Sequence, residues 1–319
     1  MKLHVRKWSE TSETYDVVLG AVGFESRGPH AFEKLKPEGG KKIAPAFPDR
    51  QLMSFPDNLE AFSKLGFETP VLSDQDFTKY WNELLTPFGL DPIKILVDIS
   101  CLNRYRMASI VEACFLEGRS CSVDFVYSVA KPGKSENHGP IDRIGPVLSS
   151  FAGWSVQPQL PAAAIFGVGY EQEKAIGCLE NLEPQICWAF RTQDDGGGNY
   201  DIVTRANELL WQSVPPQRVV EYSLRNVLDT FITLEAVAYG AMLSYRPVLI
   251  PFGPKIFFVS CLLVAVLHHP MIPVWRAVLV EAEPMQDRVA TGEILGIHAD
   301  NLLFGVGGLR PDIDSLHML

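Results

Sequence analysis

One short stretch of the sequence gathers the residue types that bind phosphate groups. Directly after an apolar segment, polar side chains follow in close succession: Asp98, Ser100, Asn103, Arg104 and Arg106. The Ser100 hydroxyl and nearby backbone N–H groups can hold a phosphate oxygen, while Arg104 offers a planar fork of donors. The alternative is that Asp98 and Ser100 only cap the following helix and that the arginines are solvated. So many polar groups directly after so apolar a strand favour binding.

A second signal is a four-residue pattern that occurs twice. Val22-Gly23-Phe24-Glu25 and Val168-Gly169-Tyr170-Glu171 share the order Val-Gly-aromatic-Glu, and Arg27 and Lys174 follow them. A glycine lets backbone N–H groups approach a ligand closely, and the start of the following helix is positive. The alternative is that the glycines end strands and the glutamates stabilise the helix dipole. The recurrence at equivalent places strengthens the signal from the glycines, while for Glu25 and Glu171 the ligand role and the dipole role both stay open.

The segment Pro251-Phe252-Gly253-Pro254-Lys255 is the counterpart, in the second half, of the stretch that begins at Asp98. Pro254 suits the first position of a helix. Lys255 is the only charge near a long apolar run, so its side chain must reach water or an anion. We interpret Gly253 and Lys255 as ligand contacts, with a simple extension of the lysine into water as the alternative.

The stretch from Asp98 to Arg104 resembles a family signature. It matches the Asp/Asn-x-Ser/Thr-x-x-x-Lys/Arg pattern of CARF domains, the CRISPR-associated Rossmann-fold sensors of cyclic oligonucleotides. A fused pair of such units also resembles the SAVED arrangement of bacterial anti-phage signalling. The resemblance implies that Ser100 and Arg104 contact the ligand and that the turn at residues 23–27 faces it. It covers seven residues, and the second half departs from it, with Pro251 and Gly253 where Asp and Ser should be.

All these segments fall where a predicted strand passes into a predicted helix. Short β-rich stretches alternate with amphipathic helices, which predicts an α/β fold with mostly parallel sheets. The predicted strands lie at 15–22, 41–47, 68–73, 93–99, 120–129, 162–168, 185–191, 218–223, 247–251 and 273–281. Because the plan repeats, we interpret the chain as two tandem Rossmann-like units, a duplication that resembles a dimer. Ligands of such folds bind outside the carboxyl ends of the strands.

The same pattern divides the chain into four parts. Residues 1–130 form the first Rossmann-like repeat and residues 161–283 the second. Residues 131–160 are interpreted as a linker with one short helix near 144–151. Residues 284–319 are interpreted as an irregular C-terminal extension that packs across the halves.

Composition limits the classes of partner. The chain has 319 residues and a net charge of −10, which argues against binding to duplex nucleic acid but permits a small anionic ligand. A polar start without a signal peptide, and a longest apolar run of twelve residues at 256–267, predict a cytoplasmic protein without membrane contact. The six cysteines form no CxxC pair and the histidines are scattered, so neither a metal nor another cofactor is expected.

Three functions are compatible with this pattern. The favoured one is binding of a phosphorylated, nucleotide-like small molecule, such as a cyclic oligonucleotide signal, in a cleft between the halves, in prokaryotic defence or signalling. The second is a phosphodiester-cleaving or nucleotide-hydrolysing enzyme at the same cleft, with Glu25 or Glu171 as general base. The third is a scaffold subunit that contacts a partner or effector protein through its C-terminal extension. No catalytic residue is assigned.

Overall fold

A computed structural model describes residues 2–10, 14–133, 141–153, 157–194, 198–279 and 286–302. The helices are α1 (His30–Leu35), α2 (Phe55–Lys64), α3 (Asp74–Leu85), α4 (Arg104–Phe115), α5 (Lys174–Leu182), α6 (Asn199–Ala206), α7 (Glu208–Ser213), α8 (Val227–Met242) and α9 (Lys255–Leu267). The strands are β1 (His4–Lys7), β2 (Val17–Leu19), β3 (Lys41–Ile43), β4 (Ile93–Asp98), β5 (Cys121–Ala130), β6 (Ile141–Pro146), β7 (Ala162–Gly167), β8 (Ile186–Thr192), β9 (Val219–Tyr222), β10 (Arg246–Pro251), β11 (Trp275–Leu279) and β12 (Ala290–Asp300). The chain is therefore a mixed α/β protein with parallel sheets, as the sequence predicts.

The first sheet has the strand order β1-β12-β5-β4-β2-β3. Strands β2 to β5 are mutually parallel, while β12 runs antiparallel to both β5 and β1. Parallel bridges from Ile43 to Glu68 and from Ala46 to Val71 add a further extended segment beyond β3. With that segment counted, the parallel part has the order 3-2-1-4-5 of doubly wound α/β sheets.

The second sheet is parallel throughout, in the order β10-β7-β8-β9. A parallel bridge from Leu249 to Val274 adds a fifth position beside β10, so the same order 3-2-1-4-5 occurs again. The strand order reverses between β2 and β4 in the first sheet and between β7 and β10 in the second. Ligand crevices of such sheets lie outside the carboxyl ends of the strands at that reversal.

Helix α9 lies at the centre of the molecule. It contacts α4, α8 and strands of both sheets, and residues 256–265 are all buried. An apolar helix packed on every side has no need of a polar face, which explains why the run is uniformly hydrophobic. None of the described helices is long and apolar enough to cross a membrane.

The C-terminal region differs from its predicted irregular form. Residues Ala290–Asp300 form β12, which lies between β1 and β5 in the first sheet. Gly292 and Gly296 interrupt the alternation that would have indicated a strand. Gly296 has a packing reason, because a Cβ there would come within 2.6 Å of the Trp8 ring. The rest of the predicted extension, residues 284–285 and 303–319, lies outside the described residues.

The predicted linker also contains regular structure. Within residues 131–160, β6 pairs antiparallel with β11, and a short 3-10 turn follows at Ser149–Phe151. The prediction of a helix near 144–151 is therefore wrong at its start, where the chain is extended. The sequence pattern also places β11 in the second parallel sheet, whereas the chain leaves that sheet after Val274 and β11 pairs with β6.

Candidate functional site

The residues singled out in the sequence lie at the two places where the strand order reverses. Strands β2 and β4 are direct neighbours, with Leu19 opposite Val97, so the turn at 23–27 and the segment 98–104 leave the sheet side by side. Strands β7 and β10 are likewise neighbours, with Gly167 opposite Pro251. The turn after Gly169 and the segment at 253–255 therefore form a second such pair.

Arg104, the first residue of α4, extends from the first half of the chain to the second. The Arg104 Nη2 donates to the Phe252 carbonyl at 2.7 Å and lies 3.7 Å from Glu171 Oε1. The Nε of the same guanidinium is buried and has no hydrogen-bond partner among the described residues. Arg104 thus keeps one unused donor beside a carbonyl and a carboxylate of the other half.

Lys255, the first residue of α9, extends from the second half of the chain to the first. The Lys255 Nζ donates to the Ser100 carbonyl at 2.5 Å and lies 3.8 Å from Glu25 Oε1. The contacts of Arg104 and Lys255 are therefore reciprocal: each cation meets a carbonyl and a glutamate of the other half. The side chains of all four charged residues remain 13–26% exposed, so solvent or a ligand reaches them. We call Glu25, Arg104, Glu171 and Lys255 the junction.

Arg27 does not join the junction as a ligand contact. It is 4% exposed, its Nε donates to Glu25 at 2.6 Å, and its two terminal nitrogens donate to the carbonyls of Ser128 and Ser100. Burial works against its charge, but Tyr127 and Glu25 raise the pKa of Arg27 above its usual value. Every nitrogen of the guanidinium is used inside the protein, so Arg27 positions Glu25 instead of meeting a ligand.

Asp98 and Ser100 are also internal. Their exposures are 2% and 0%; the Ser100 hydroxyl donates to Asp98 Oδ1 at 2.5 Å and accepts from the Ser128 N–H at 2.8 Å. Burial raises the pKa of Asp98 to about 6, against the opposing effect of the hydrogen bonds from Ser100. The contact between the Ser100 hydroxyl and a ligand that the resemblance implies is therefore not possible in this arrangement. Only the Ser100 carbonyl faces the junction.

Asn103 and Arg106 hold the start of α4. Asn103 Oδ1 accepts from the Arg106 N–H at 2.8 Å, which makes Asn103 the N-cap, and its Nδ2 donates to Asp74. The Arg106 guanidinium is buried against the rings of Phe47 and Phe77 and pairs with Asp74 at 3.0 Å. The alternative that Asp98 and Ser100 cap the helix is therefore wrong, because the cap is Asn103, and Arg106 is a buried structural cation instead of a solvated one.

The glycines bring the turns close together. A Cβ at Gly169 would come within 3.0 Å of Gly253 Cα, and a Cβ at Gly253 within 3.0 Å of the Val168 carbonyl. A Cβ at Gly23 would meet the side chain of Cys101 at 3.0 Å. A Cβ at Gly169 would also clash with Glu171 Oε2. The missing side chains therefore allow the turns and Glu171 to pack closely, whereas the sequence indicated access for a ligand.

Lys174 is a buried cation that follows the second glycine turn. It is the first residue of α5 and is 5% exposed. Its charge acts on Cys178 in the core of the second half: burial raises the pKa of that thiol to about 12, and Lys174 opposes the rise. A side chain so buried offers little surface to a ligand, in contrast to the ligand contact that the sequence analysis predicts for Lys174.

Two buried asparagines that the sequence analysis missed anchor the glycine turns. Asn58 Nδ2 donates to the carbonyls of Gly23 and Glu25 at 2.9 and 2.7 Å. Asn207 Nδ2 donates to the carbonyl of Gly169 at 2.9 Å. The sequence signal for both is an asparagine within or between helices. This residue is unfavourable there unless its amide forms a local hydrogen bond.

Replacing either asparagine by alanine is expected to destabilise the protein by about 1–3 kcal/mol, because a buried turn carbonyl loses its donor. Urea unfolding of Asn58→Ala and Asn207→Ala measures the effect. Asn181→Ala is the matched control, since its amide makes one exposed bond to the Gly177 carbonyl. Unfolding midpoints of the two buried variants equal to that of the control would show that the turns do not depend on these amides.

Two further arginines were also missed by the sequence analysis. Arg276 on β11 lies within electrostatic range of Arg143 on β6 and of Arg104. A separate cavity of about 190 Å³ lies at the amino ends of the strands, the edge opposite the junction. It is lined by Lys2, Leu3, Phe115, Val266, Leu267 and Asn301.

Within the described ranges, no group of three or more His, Cys, Asp or Glu residues is placed to hold a metal ion.

Comparisons with known proteins do not assign a family. No protein-family model and no curated protein matches the chain. A similar solved structure is the cytoplasmic domain of a prokaryotic cation chloride cotransporter, with a TM-score of 0.26 and 10% sequence identity, covering 84% of this chain and 96% of that one.

Proposed function

We propose that this protein binds a phosphorylated, nucleotide-like small molecule at the junction of its two halves. The proposal rests on one observation: Arg104 donates to a carbonyl of the second half, and Lys255 donates to a carbonyl of the first half. It places two partly exposed cations, each at the start of a helix, where the two strand-order reversals meet. Helix starts and arginine or lysine donors together bind phosphate groups.

The proposal includes a duplicated architecture. The parallel strands have the same order in both halves, and the Val-Gly-aromatic-Glu turn follows the first strand of each order. An asparagine amide holds the turn carbonyl of each half, Asn58 in the first and Asn207 in the second. We infer two tandem Rossmann-like units related by an approximate two-fold axis through the junction. A ligand whose phosphates repeat around a ring, such as a cyclic oligonucleotide, matches that symmetry.

The glutamates of the junction are replaceable counterions in this proposal. Glu25 and Glu171 lie 3.8 and 3.7 Å from their cations, and all four side chains are partly exposed. At these distances neither glutamate forms a direct hydrogen bond with its cation across the junction. A phosphate that forms two charge-assisted hydrogen bonds with Arg104 therefore competes successfully with Glu171. Ligand binding is expected to displace the two carboxylates from the cations.

The biological role in this proposal is signal sensing in prokaryotic defence. That part rests on the seven-residue resemblance to CARF domains and on the paired arrangement that resembles SAVED proteins. In such a role the protein would report the ligand to a partner or effector protein.

The test is a binding screen with mononucleotides, dinucleotides and cyclic oligonucleotides, read by thermal shift and by calorimetry. A ligand at about a hundredfold excess over its Kd is expected to stabilise the wild-type protein by about 2.7 kcal/mol. Arg104→Gln and Lys255→Gln are each expected to weaken binding at least tenfold, because each removes one phosphate donor. Lys79→Gln is the matched control, since Lys79 is a 77% exposed lysine of α3.

The outcomes separate the functions that the sequence left open. Saturable binding without product, lost in both variants, supports the proposal. Conversion of a bound phosphodiester or nucleotide into product identifies the enzyme, with Glu25→Gln and Glu171→Gln testing the general base. If no nucleotide binds the wild-type protein, the proposal is wrong and the scaffold function becomes the better hypothesis.

A further inference from the structure

The two-stranded sheet of β6 and β11 presents two different faces. Trp275 and Ala277 of β11 and Ile144 of β6 pack against the core of the second half. In the antiparallel register Arg276 lies opposite Gly145 and Val278 opposite Arg143, so both arginines are on the other face. The apolar face of this sheet therefore packs on the core of the second half, and Arg143 and Arg276 lie on the opposite face.

Those two arginines are not compensated by nearby acids. Their main chains belong to the β6–β11 ladder, but neither guanidinium has a hydrogen bond or an ion pair with a described residue, and Arg143 is exposed. Burial lowers the pKa of Arg276, and the charges of Arg143 and Arg104 lower it further. Asp74 is the acid within range, and its carboxylate already accepts from Asn103 and Arg106.

There is room for an anion between them. Gly145 lies opposite Arg276, and no atom lies within 4 Å of the point where a Cβ on Gly145 would be. Arg104, whose side chain is 26% exposed, lies within electrostatic range of Arg276. The surface over Gly145 is therefore open and flanked by the guanidinium groups of Arg143 and Arg276.

We propose that Arg143, Arg276 and Arg104 bind a phosphate group over Gly145. Guanidinium groups suit this task because their planar donors match two phosphate oxygens at once. The inference rests on the proposed function and narrows it, since Arg104 belongs to both the junction and this site. The ligand then carries at least two phosphate groups, one at the junction and one over Gly145, which favours dinucleotides and cyclic oligonucleotides over nucleoside monophosphates.

The experiment is a calorimetric titration with inorganic pyrophosphate at low ionic strength. The double variant Arg143→Gln/Arg276→Gln is expected to bind at least tenfold more weakly than the wild-type protein. Lys64→Gln/Lys79→Gln removes the same charge from exposed positions and is expected to bind as the wild type does. Without pyrophosphate, the arginine double variant is expected to melt at the wild-type temperature or above it, because mutual repulsion has been removed. A purely structural role of the arginines would lower that temperature.

Each remaining result decides one of the two proposals. Unchanged pyrophosphate affinity in the arginine double variant, or no binding to the wild type, overturns the site over Gly145. If nucleotides bind in a manner that depends on Arg104 and Lys255 but not on Arg143 and Arg276, the proposed function stands and this site is wrong. If pyrophosphate binding requires Arg143 and Arg276 while no nucleotide binds, this site stands and the proposed function fails.

Discussion

Replacing Arg27 by methionine is expected to destabilise the protein by about 3–5 kcal/mol. Removing one member of a largely buried ion pair has a cost of that size, because the remaining charge loses its nearest partner and the carbonyls lose their donors. Here the partners are the Glu25 carboxylate and the carbonyls of Ser100 and Ser128. Methionine fills much of the volume of the arginine side chain. The loss of unfolding free energy therefore comes mainly from the missing polar contacts and not from a cavity. Denaturant unfolding followed by circular dichroism measures it.

Two further variants isolate the cause. Arg6→Met removes an arginine whose side chain is 68% exposed, and it is expected to change the free energy of unfolding by less than about 1 kcal/mol. Glu25→Gln in the Arg27→Met background is expected to restore part of the loss, because it removes a largely buried charge that keeps only the longer pair with Lys255. If Arg27→Met unfolds like Arg6→Met, Arg27 is not the structural cation inferred here and its role as a ligand contact would be restored.

The location of the site was predictable from the sequence, whereas the role of each cation was not. Apolar strands followed at once by Gly23, Asp98, Gly169 or Gly253 mark carboxyl ends, and parallel strands bring their carboxyl ends to one edge. Arg27 and Arg104 look equivalent in that pattern, since each lies near the start of a helix. Only the tertiary structure distinguishes them. Arg27 is buried and donates to the Ser128 carbonyl of β5, whereas Arg104 donates to the Phe252 carbonyl of the other half.

The elements that the sequence analysis missed have partners far away in the chain. Strand β6 pairs with β11, and β12 fills the position between β1 and β5. Local periodicity reports which face of a segment is buried but not which distant strand completes its hydrogen bonds. Arg143 and Arg276 were hidden for this reason, since one lay in an apparent linker and the other in an ordinary strand.

Replacing Asp98 by asparagine is expected to change how stability depends on pH. Burial raises the pKa of Asp98 to about 6 in the folded protein, against a usual value of 3.8. Between these values the folded protein holds the proton more tightly than the unfolded chain, so stability falls as pH rises from about 4 to 6. The full effect is on the order of 3 kcal/mol, because each pKa unit corresponds to about 1.4 kcal/mol. Above about pH 6 this cost is constant.

The asparagine of that variant would keep the oxygen that accepts from the Ser100 N–H and hydroxyl but has no proton to lose. The stability of Asp98→Asn relative to wild type is therefore expected to rise between pH 4 and 6 and then level off. Unfolding by urea at several pH values measures this difference, with Asp57→Asn in the first turn of α2 as an exposed control. A difference that stays constant with pH would mean that Asp98 is already charged at pH 4. A difference that falls would mean that Arg27 and Lys255 outweigh burial, so that the charged carboxylate helps to hold the junction together.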